Sequence, residues 1–176
     1  MASKKESYLF VDGYNIINNW PELRQLSKMT LDLARERLEE YMLEYQAYMD
    51  VRVIVVYDAY KIRGAKEKIV NKSGLKIVFT QERETADRYI EKQLHKLGKD
   101  YRVKVATSDW VEQQVVLGRG GTRISARELH LQYKNMKERI EIKTQKKVSK
   151  KSEEVLLEDL IDDDLREKLN NMLKKS

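Results

Sequence analysis

The 176-residue chain contains no cysteine and only two histidines. The first absence excludes disulfides and thiolate metal sites, and it fits a reducing compartment. No window approaches the roughly 18 apolar residues that span a bilayer. The opening MASKKES lacks the apolar stretch of a signal peptide. A cytoplasmic protein without a membrane partner is therefore expected. No internal repeat occurs, and no Walker or dinucleotide fingerprint is present, so no nucleotide cofactor is expected.

Charge is what the chain has in quantity. Charged residues make up 36% of it and apolar residues 41%. Lys plus Arg number 35 against 29 acids, a net +6. That balance suits a polyanionic partner such as nucleic acid, and it equally suits plain solubility. Residues 1–142 carry 26 basic against 21 acidic residues, and residues 143–176 carry 9 against 8, so the basic excess lies in the body.

Apolar runs at Tyr8–Val11, Val51–Tyr57, Leu75–Phe79 and Val103–Thr107 read as strands, with a short fifth near Thr122–Ile124. VRVIVVY is apolar at almost every position, as in a parallel strand covered on both faces. Between the runs, Leu31, Leu38, Met42 and Tyr45 recur at helical spacing, as do Ile90, Leu94 and Leu97. Thr85 can cap the second of these helices and Gly98 can end it. Asp109 with Glu112, and Ser125 with Glu128, have capping-box spacing. Alternating strands and helices imply an α/β fold with a parallel sheet.

The expected organisation is a domain over 1–142, a basic linker over 143–152 with five lysines and no acid up to Lys151, and an amphipathic helical tail over 153–176. The tail's apolar stripe is Leu157, Leu160, Ile161, Leu165, Leu169 and Met172.

In open parallel sheets functional groups gather beyond the carboxyl ends of the strands. Asp12, Asp58 and Asp109 stand there, and Asp87 opens the helix after Leu75–Phe79. Glu91, four residues on, shares its helical face. Taken singly, each of these aspartates is most simply a turn residue or helix cap. Several at one edge repel one another unless a cation neutralises them. Oxygen donors without cysteine favour Mg²⁺ or Mn²⁺ over zinc, and the chemistry such ions serve is phosphodiester hydrolysis.

VDGYNII with WPEL, RVIVVYDAY, VFTQERETADRYIE, VATSD and GRGGTRISAREL resemble the YacP-like branch of the NYN domain nucleases, whose three-layer fold is similar to PIN domains. The resemblance runs from Tyr8 to about Ile142 and leaves the tail outside. It implies a metal-dependent endoribonuclease with a mostly parallel central sheet flanked by helices. It also implies mRNA decay on the translating ribosome. Asp12, Asn15, Asp87 and Asp109 carry over as active-site positions, with Asp12, Asp87 and Asp109 as metal ligands and Asp58 in support. The Asn15 amide would orient water or a phosphate oxygen, or serve as a turn residue. Glu91 is secondary, since an ion pair with Lys92 or His95 explains it equally. Relatives often carry histidine where this chain has Tyr60, so no histidine role transfers.

For RNA contact the candidates are Arg119 and Arg123 in GRGGTR, Lys61 and Arg63 with Lys66, Lys68 and Lys72 in the loop after Asp58, and Tyr14 as a stacking ring beside Tyr60 and Trp110. A solvated loop is the competing reading of the lysines. His130 and the tyrosines at 41, 45 and 48 read as packing residues. Two other functions compete. An aspartyl phosphotransferase wants a second aspartate two residues after Asp12, where Tyr14 stands. A non-catalytic RNA or ribosome adaptor would leave the repelling acids without a use.

Overall fold

A computed structural model describes residues 6–59, 63–97, 100–109 and 121–173. The chain divides into two compact units, Met1–Lys134 and Asn135–Ser176. The first is built on a six-stranded sheet of order β3-β4-β2-β1-β5-β6. Its strands are β1 (Ser7–Asp12), β2 (Arg52–Tyr57), β3 (Lys68–Lys72), β4 (Leu75–Phe79), β5 (Arg102–Ala106) and β6 (Thr122–Ile124). All neighbours pair in parallel except β3 with β4.

Side-chain alternation divides the core between the two sheet faces. Phe10, Ile54, Val56, Val78, Val103 and Val105 pack with Tyr89, Ile90 and Leu94 of helix α4 (Ala86–Leu97). The intervening residues Leu9, Val11, Val53, Val55 and Tyr57 are also buried. Their face meets α1 (Gly13–Asn19) and α3 (Leu31–Met49), with α2 (Pro21–Met29) packed on both helices: Tyr57 donates its hydroxyl to the Arg35 carbonyl at 3.3 Å, and Gln46 accepts the Val53 N–H at 2.8 Å. Helices on both faces make the expected three layers.

The expected strands and the long helices all form, and three elements were not anticipated. Helices α1 and α2 follow β1 directly, with Pro21 at the first position of α2. The lysine loop after Asp58 contains β3, which turns into β4 through Ser73 (φ 51°) and Gly74 (φ 91°). That hairpin corrects the placement of Lys72. It pairs with Leu75 at the amino end of β4, away from the strand ends that carry the aspartates, and its ammonium meets Glu39 at 3.2 Å.

Trp20 locks the helical layer. Its indole N–H donates to the Ala126 carbonyl at 2.8 Å, and its ring stacks on His130, whose Nε2 lies 2.7 Å from Glu22. His130, Tyr41 and Tyr45 are packing residues, as expected. The capping box forms too: Glu128 accepts from Ser125 N–H at 2.7 Å and Ser125 accepts from Glu128 N–H at 3.1 Å.

That box opens α5, a continuous helix over Ala126–Leu173. The stretch 143–152, expected as a flexible linker, is therefore helical, and the boundary between units falls at Lys134 instead of near residue 142. Lysine and glutamine are good helix formers, and the chain has neither glycine nor proline after Gly121 to stop the helix. Residues 141–151 are exposed throughout. The helix expected over 110–118 and the Gly98 stop lie outside the described residues.

Candidate active site

The strand order reverses beside β1, where β2 and β4 lie to one side and β5 returns on the other. Ligands of open α/β sheets bind at such a reversal, beyond the carboxyl ends of the strands. Asp12 ends β1, and its neighbour in the register is the turn that follows β5, because Val11 pairs with Ala106. Asp109 stands three residues beyond β5, Asp58 one beyond β2, and Asp87 is the second residue of α4.

These acids converge electrostatically on Asp12. Its carboxyl is pushed up to about 7, first by burial and then by the negative charges of Asp87, Asp58 and Asp109, while the N–H of Asn15 opposes the rise. The same carboxylate caps α1, accepting that N–H at 3.2 Å. Asp87 lies at the amino end of α4, where the helix dipole favours negative charge, and Thr85 caps the helix by accepting the Arg88 N–H at 3.3 Å.

Among the described residues no three acidic or histidine side chains are grouped tightly enough to hold a metal ion. The expected ligands Asp12, Asp87 and Asp109 thus share a field without forming a closed cage. Mg²⁺ suits that arrangement, because it keeps several waters and takes only one or two carboxylates. A part-buried carboxyl whose pKa is raised first by desolvation and then by three like charges is a donor that a divalent cation would ionise. Oxygen donors of this kind are those that Mg²⁺ or Mn²⁺ prefers.

Asn15 also ties two turns together. Its side-chain oxygen accepts the Ser108 N–H at 2.8 Å, fixing the segment that carries Asp109 against the start of α1. Asp109 N–H in turn donates to Thr107 Oγ1 at 3.1 Å. Thr80 performs the equivalent service next door. It accepts the Ala59 N–H at 2.9 Å and donates to the Glu84 carbonyl at 2.7 Å, joining the turns after β2 and β4. Glu84 is buried and paired with Lys92 at 2.5 Å, so the Lys92 ammonium goes to Glu84. Glu91 follows Asp87 by one turn of α4 and is half-buried.

Tyr14 lies beside Asp12 on a ladder of rings. It packs on Tyr57 at 5.2 Å, and Tyr57 stacks on Phe79 at 5.3 Å. Gly13 is required between them, since a Cβ there would fall 2.5 Å from Tyr57 Cδ1. Arg35 completes the group. Its guanidinium donates to the Tyr14 hydroxyl at 3.0 Å, lies 5.9 Å from the Tyr57 ring centre and 5.7 Å from that of Phe79, and pairs with Asp32. Arg35 was missed in the sequence because it sits mid-helix among charged neighbours; only its i,i+3 relation to Asp32 marks it.

Arg63 is exposed in the turn before β3, where the next residue's N–H reaches Glu82 at 2.7 Å. Arg123 is exposed on edge strand β6. Arg119, Lys61, Tyr60 and Trp110 lie outside the described residues. A cleft of about 740 Å³ opens at the opposite, amino end of the strands, lined among others by Tyr8, Arg52, Asn71 and Lys76. Its lining residues include none of the aspartates at the carboxyl ends of the strands, and the candidate site is that carboxyl edge.

The model of the YacP-like NYN domain matches residues 9–174. The chain belongs to the YacP-like NYN domain family. This NYN match extends through the tail, which corrects the expectation that the resemblance stops near Ile142. The chain is 42% identical to the Bacillus subtilis protein YacP over 156 residues, covering 84% of this chain and 91% of that protein. A crystal structure of Rae1 (YacP) from Bacillus subtilis superimposes with a TM-score of 0.69 at 41% identity, over 85% of this chain and 90% of the other. A point mutant of the same protein gives 0.72 at 40% identity, over 81% and 84%. The NYN domain family is nuclease-like.

Proposed function

We propose that this NYN protein is a divalent-metal-dependent endoribonuclease, and that its substrate is mRNA presented on the translating ribosome. The observation that carries the proposal is the gathering of Asp12, Asp58, Asp87 and Asp109 at one sheet edge, where partial burial first, and then the charges of the other three acids, raise the Asp12 carboxyl to about 7. Strongly perturbed carboxylates in a cleft mark functional sites. RNA as the polymer rests on family membership and the basic body. The ribosome rests on the family resemblance alone.

Asp12, with Asp87 or Asp109, would hold Mg²⁺ or Mn²⁺; the bound ion supplies charge neutralisation and Lewis-acid activation for in-line hydrolysis, leaving a 5′-phosphate and a 3′-hydroxyl. The residues of the chain do the remainder. Asn15 holds the Asp109 segment against Asp12, Thr80 fixes the turn that bears Asp58, and α4 presents Asp87 at the positive end of its dipole. The Tyr14 ring and the Arg35 guanidinium stand ready for a base and a backbone phosphate of the strand being cut. Nothing in this metal chemistry reads the 2′-hydroxyl, so preference for RNA must come from such binding groups.

A second reading, a non-catalytic RNA or ribosome adaptor, draws on the lack of a closed three-carboxylate group among the described residues. One experiment separates the two. Purified protein, Asp12→Asn and Asp87→Asn are incubated with Mg²⁺ or Mn²⁺ and an mRNA, with and without ribosomes engaged on it. Cleavage by wild type alone supports the nuclease; equal binding by all three with no cleavage establishes the adaptor.

A further inference from the structure

Residues 143–152 are helical, and this determines how their lysines are arrayed. In a flexible chain they would be a diffuse charge. On α5 they acquire a pattern. Lys143, Lys146, Lys147, Lys150 and Lys151 stand at i, i+3, i+4, i+7 and i+8, which places all five on one helical face. Every residue from 141 to 151 is exposed. The other faces carry Glu141, Ile142, Thr144, Gln145, Val148 and Ser149, too mixed to form the apolar side of a membrane-surface helix.

Such a face is costly to the helix itself. At i,i+3 and i,i+4 the stripe sets Lys143 against Lys146 and Lys147, Lys146 against Lys150, and Lys147 against Lys150 and Lys151, while Glu153 and Glu154 stand at that spacing from Lys150 and Glu154 from Lys151. Like charges at i,i+3 and i,i+4 each destabilise a helix slightly. The acidic run that begins at Glu153 lies on the same continuous helix and cannot fold back over the stripe. A polyanion bound along the face would relieve the repulsion.

We propose that the Lys143–Lys151 face of α5 is a docking surface for the phosphate backbone of double-helical RNA. Two observations select this occupant. The five ammonium groups extend over about 12 Å of helix axis, and a duplex offers roughly one phosphate per 3.4 Å on each strand, by the B-form value. There is no aromatic residue after Tyr133, so this unit has no platform on which single-stranded bases could stack. What remains is contact with a regular phosphate array, insensitive to sequence. The polymer is taken as RNA on the reading given under Proposed function. The stripe itself requires only phosphate, and its test does not depend on cleavage.

The full-length protein is titrated into a fluorescent RNA duplex of about 16 base pairs and into one of its strands alone, without divalent ions, over a range of salt. One variant replaces the five lysines by glutamine, which preserves helix propensity. A second exchanges neighbours, Lys143→Thr with Thr144→Lys and Lys147→Val with Val148→Lys, so that net charge is constant and the stripe is broken. Circular dichroism checks that both remain folded. For the glutamine variant, duplex affinity is expected to fall by tenfold or more, and the log–log salt slope to shrink by about 2 to 4. The exchange variant is expected to lose several-fold, and single-strand binding to change little for either. Wild-type duplex affinity in the exchange variant would show that charge alone matters and overturn the proposal. So would equal losses on duplex and single strand, or a wild type that self-associates through the stripe and leaves duplex unbound. Should wild type bind duplex through the stripe yet cleave nothing in the separate assay with Mg²⁺ or Mn²⁺ and ribosome-engaged mRNA, the nuclease reading fails and this inference stands.

Discussion

The side-chain oxygen of Asn15 accepts the Ser108 N–H at 2.8 Å, across 93 residues of sequence. Because Asp12 accepts the N–H of Asn15 itself, one residue fixes two of the candidate acids relative to each other. Asn15→Ala should therefore affect activity more than stability. Ser108 is exposed and water can replace the lost partner, so the stability cost should be about 1 kcal/mol or less. Cleavage should fall by roughly tenfold to a hundredfold, since small misplacements of reacting groups are expensive. Thermal denaturation and single-turnover cleavage measure the two effects, and a loss of stability without loss of rate would remove Asn15 from the site.

Gly13 explains why a strand ends on the run VDGYN. The close approach of Tyr57 excludes any side chain there, because the ring occupies the space a Cβ would need. Gly13→Ala should cost about 1 to 3 kcal/mol from overpacking. In a Tyr57→Val background the same change should cost less, giving a coupling that denaturant titration of the double-mutant cycle would reveal. Additive costs would mean that the ring is not the obstacle.

Buried parallel strands announce themselves as apolar runs, which is why β1, β2, β4 and β5 could be placed from the sequence. Caps at Thr85 and Ser125 were legible for the same local reason. Edge strand β3 was not, because KIVNK is mostly exposed and its lysines conceal the alternation. Helices α1 and α2 run seven and nine residues, too short for a clear period. Lysine density suggested a linker in 143–152, although the absence of glycine and proline was the better guide. At the site, the aspartates were visible by position after strands. The Asn15–Ser108 bond and the place of Arg35 beside Tyr14 depend on tertiary contact, and no local pattern encodes them.

Arg35 offers a direct test of the ring ladder. Its guanidinium bonds Tyr14 and lies over Tyr57 and Phe79, so Arg35→Gln removes a cation from the site edge and also loosens the rings. Affinity for a single-stranded RNA, measured in an Asp87→Asn background to prevent cleavage, should fall several-fold, with the salt slope reduced by about 1. Arg35→Lys should restore the slope more than the affinity, because an ammonium keeps the charge and loses the planar stack. An unchanged slope in Arg35→Gln would restrict Arg35 to a packing role.

Asp12 links stability to pH and to metal. Its folded-state pKa, about 7, lies above the ordinary 3.8. Between those values the folded protein holds a proton that the unfolded chain has released, so the stabilisation present below pH 4 is lost as pH rises toward 7. Metal-free Asp12→Asn should escape this loss while keeping a side chain that caps α1 well. It should match wild type near pH 4 and exceed it by about 1 to 3 kcal/mol at pH 8, a range set below the full shift because Asp12 is partly exposed. Mg²⁺ at 100 times its dissociation constant should return about 2.7 kcal/mol to wild type and little to the variant. Thermal melts with and without EDTA across this pH range measure both effects. If wild type and Asp12→Asn gain equally from Mg²⁺, the ion is held elsewhere and the carboxylate cluster does not bind it.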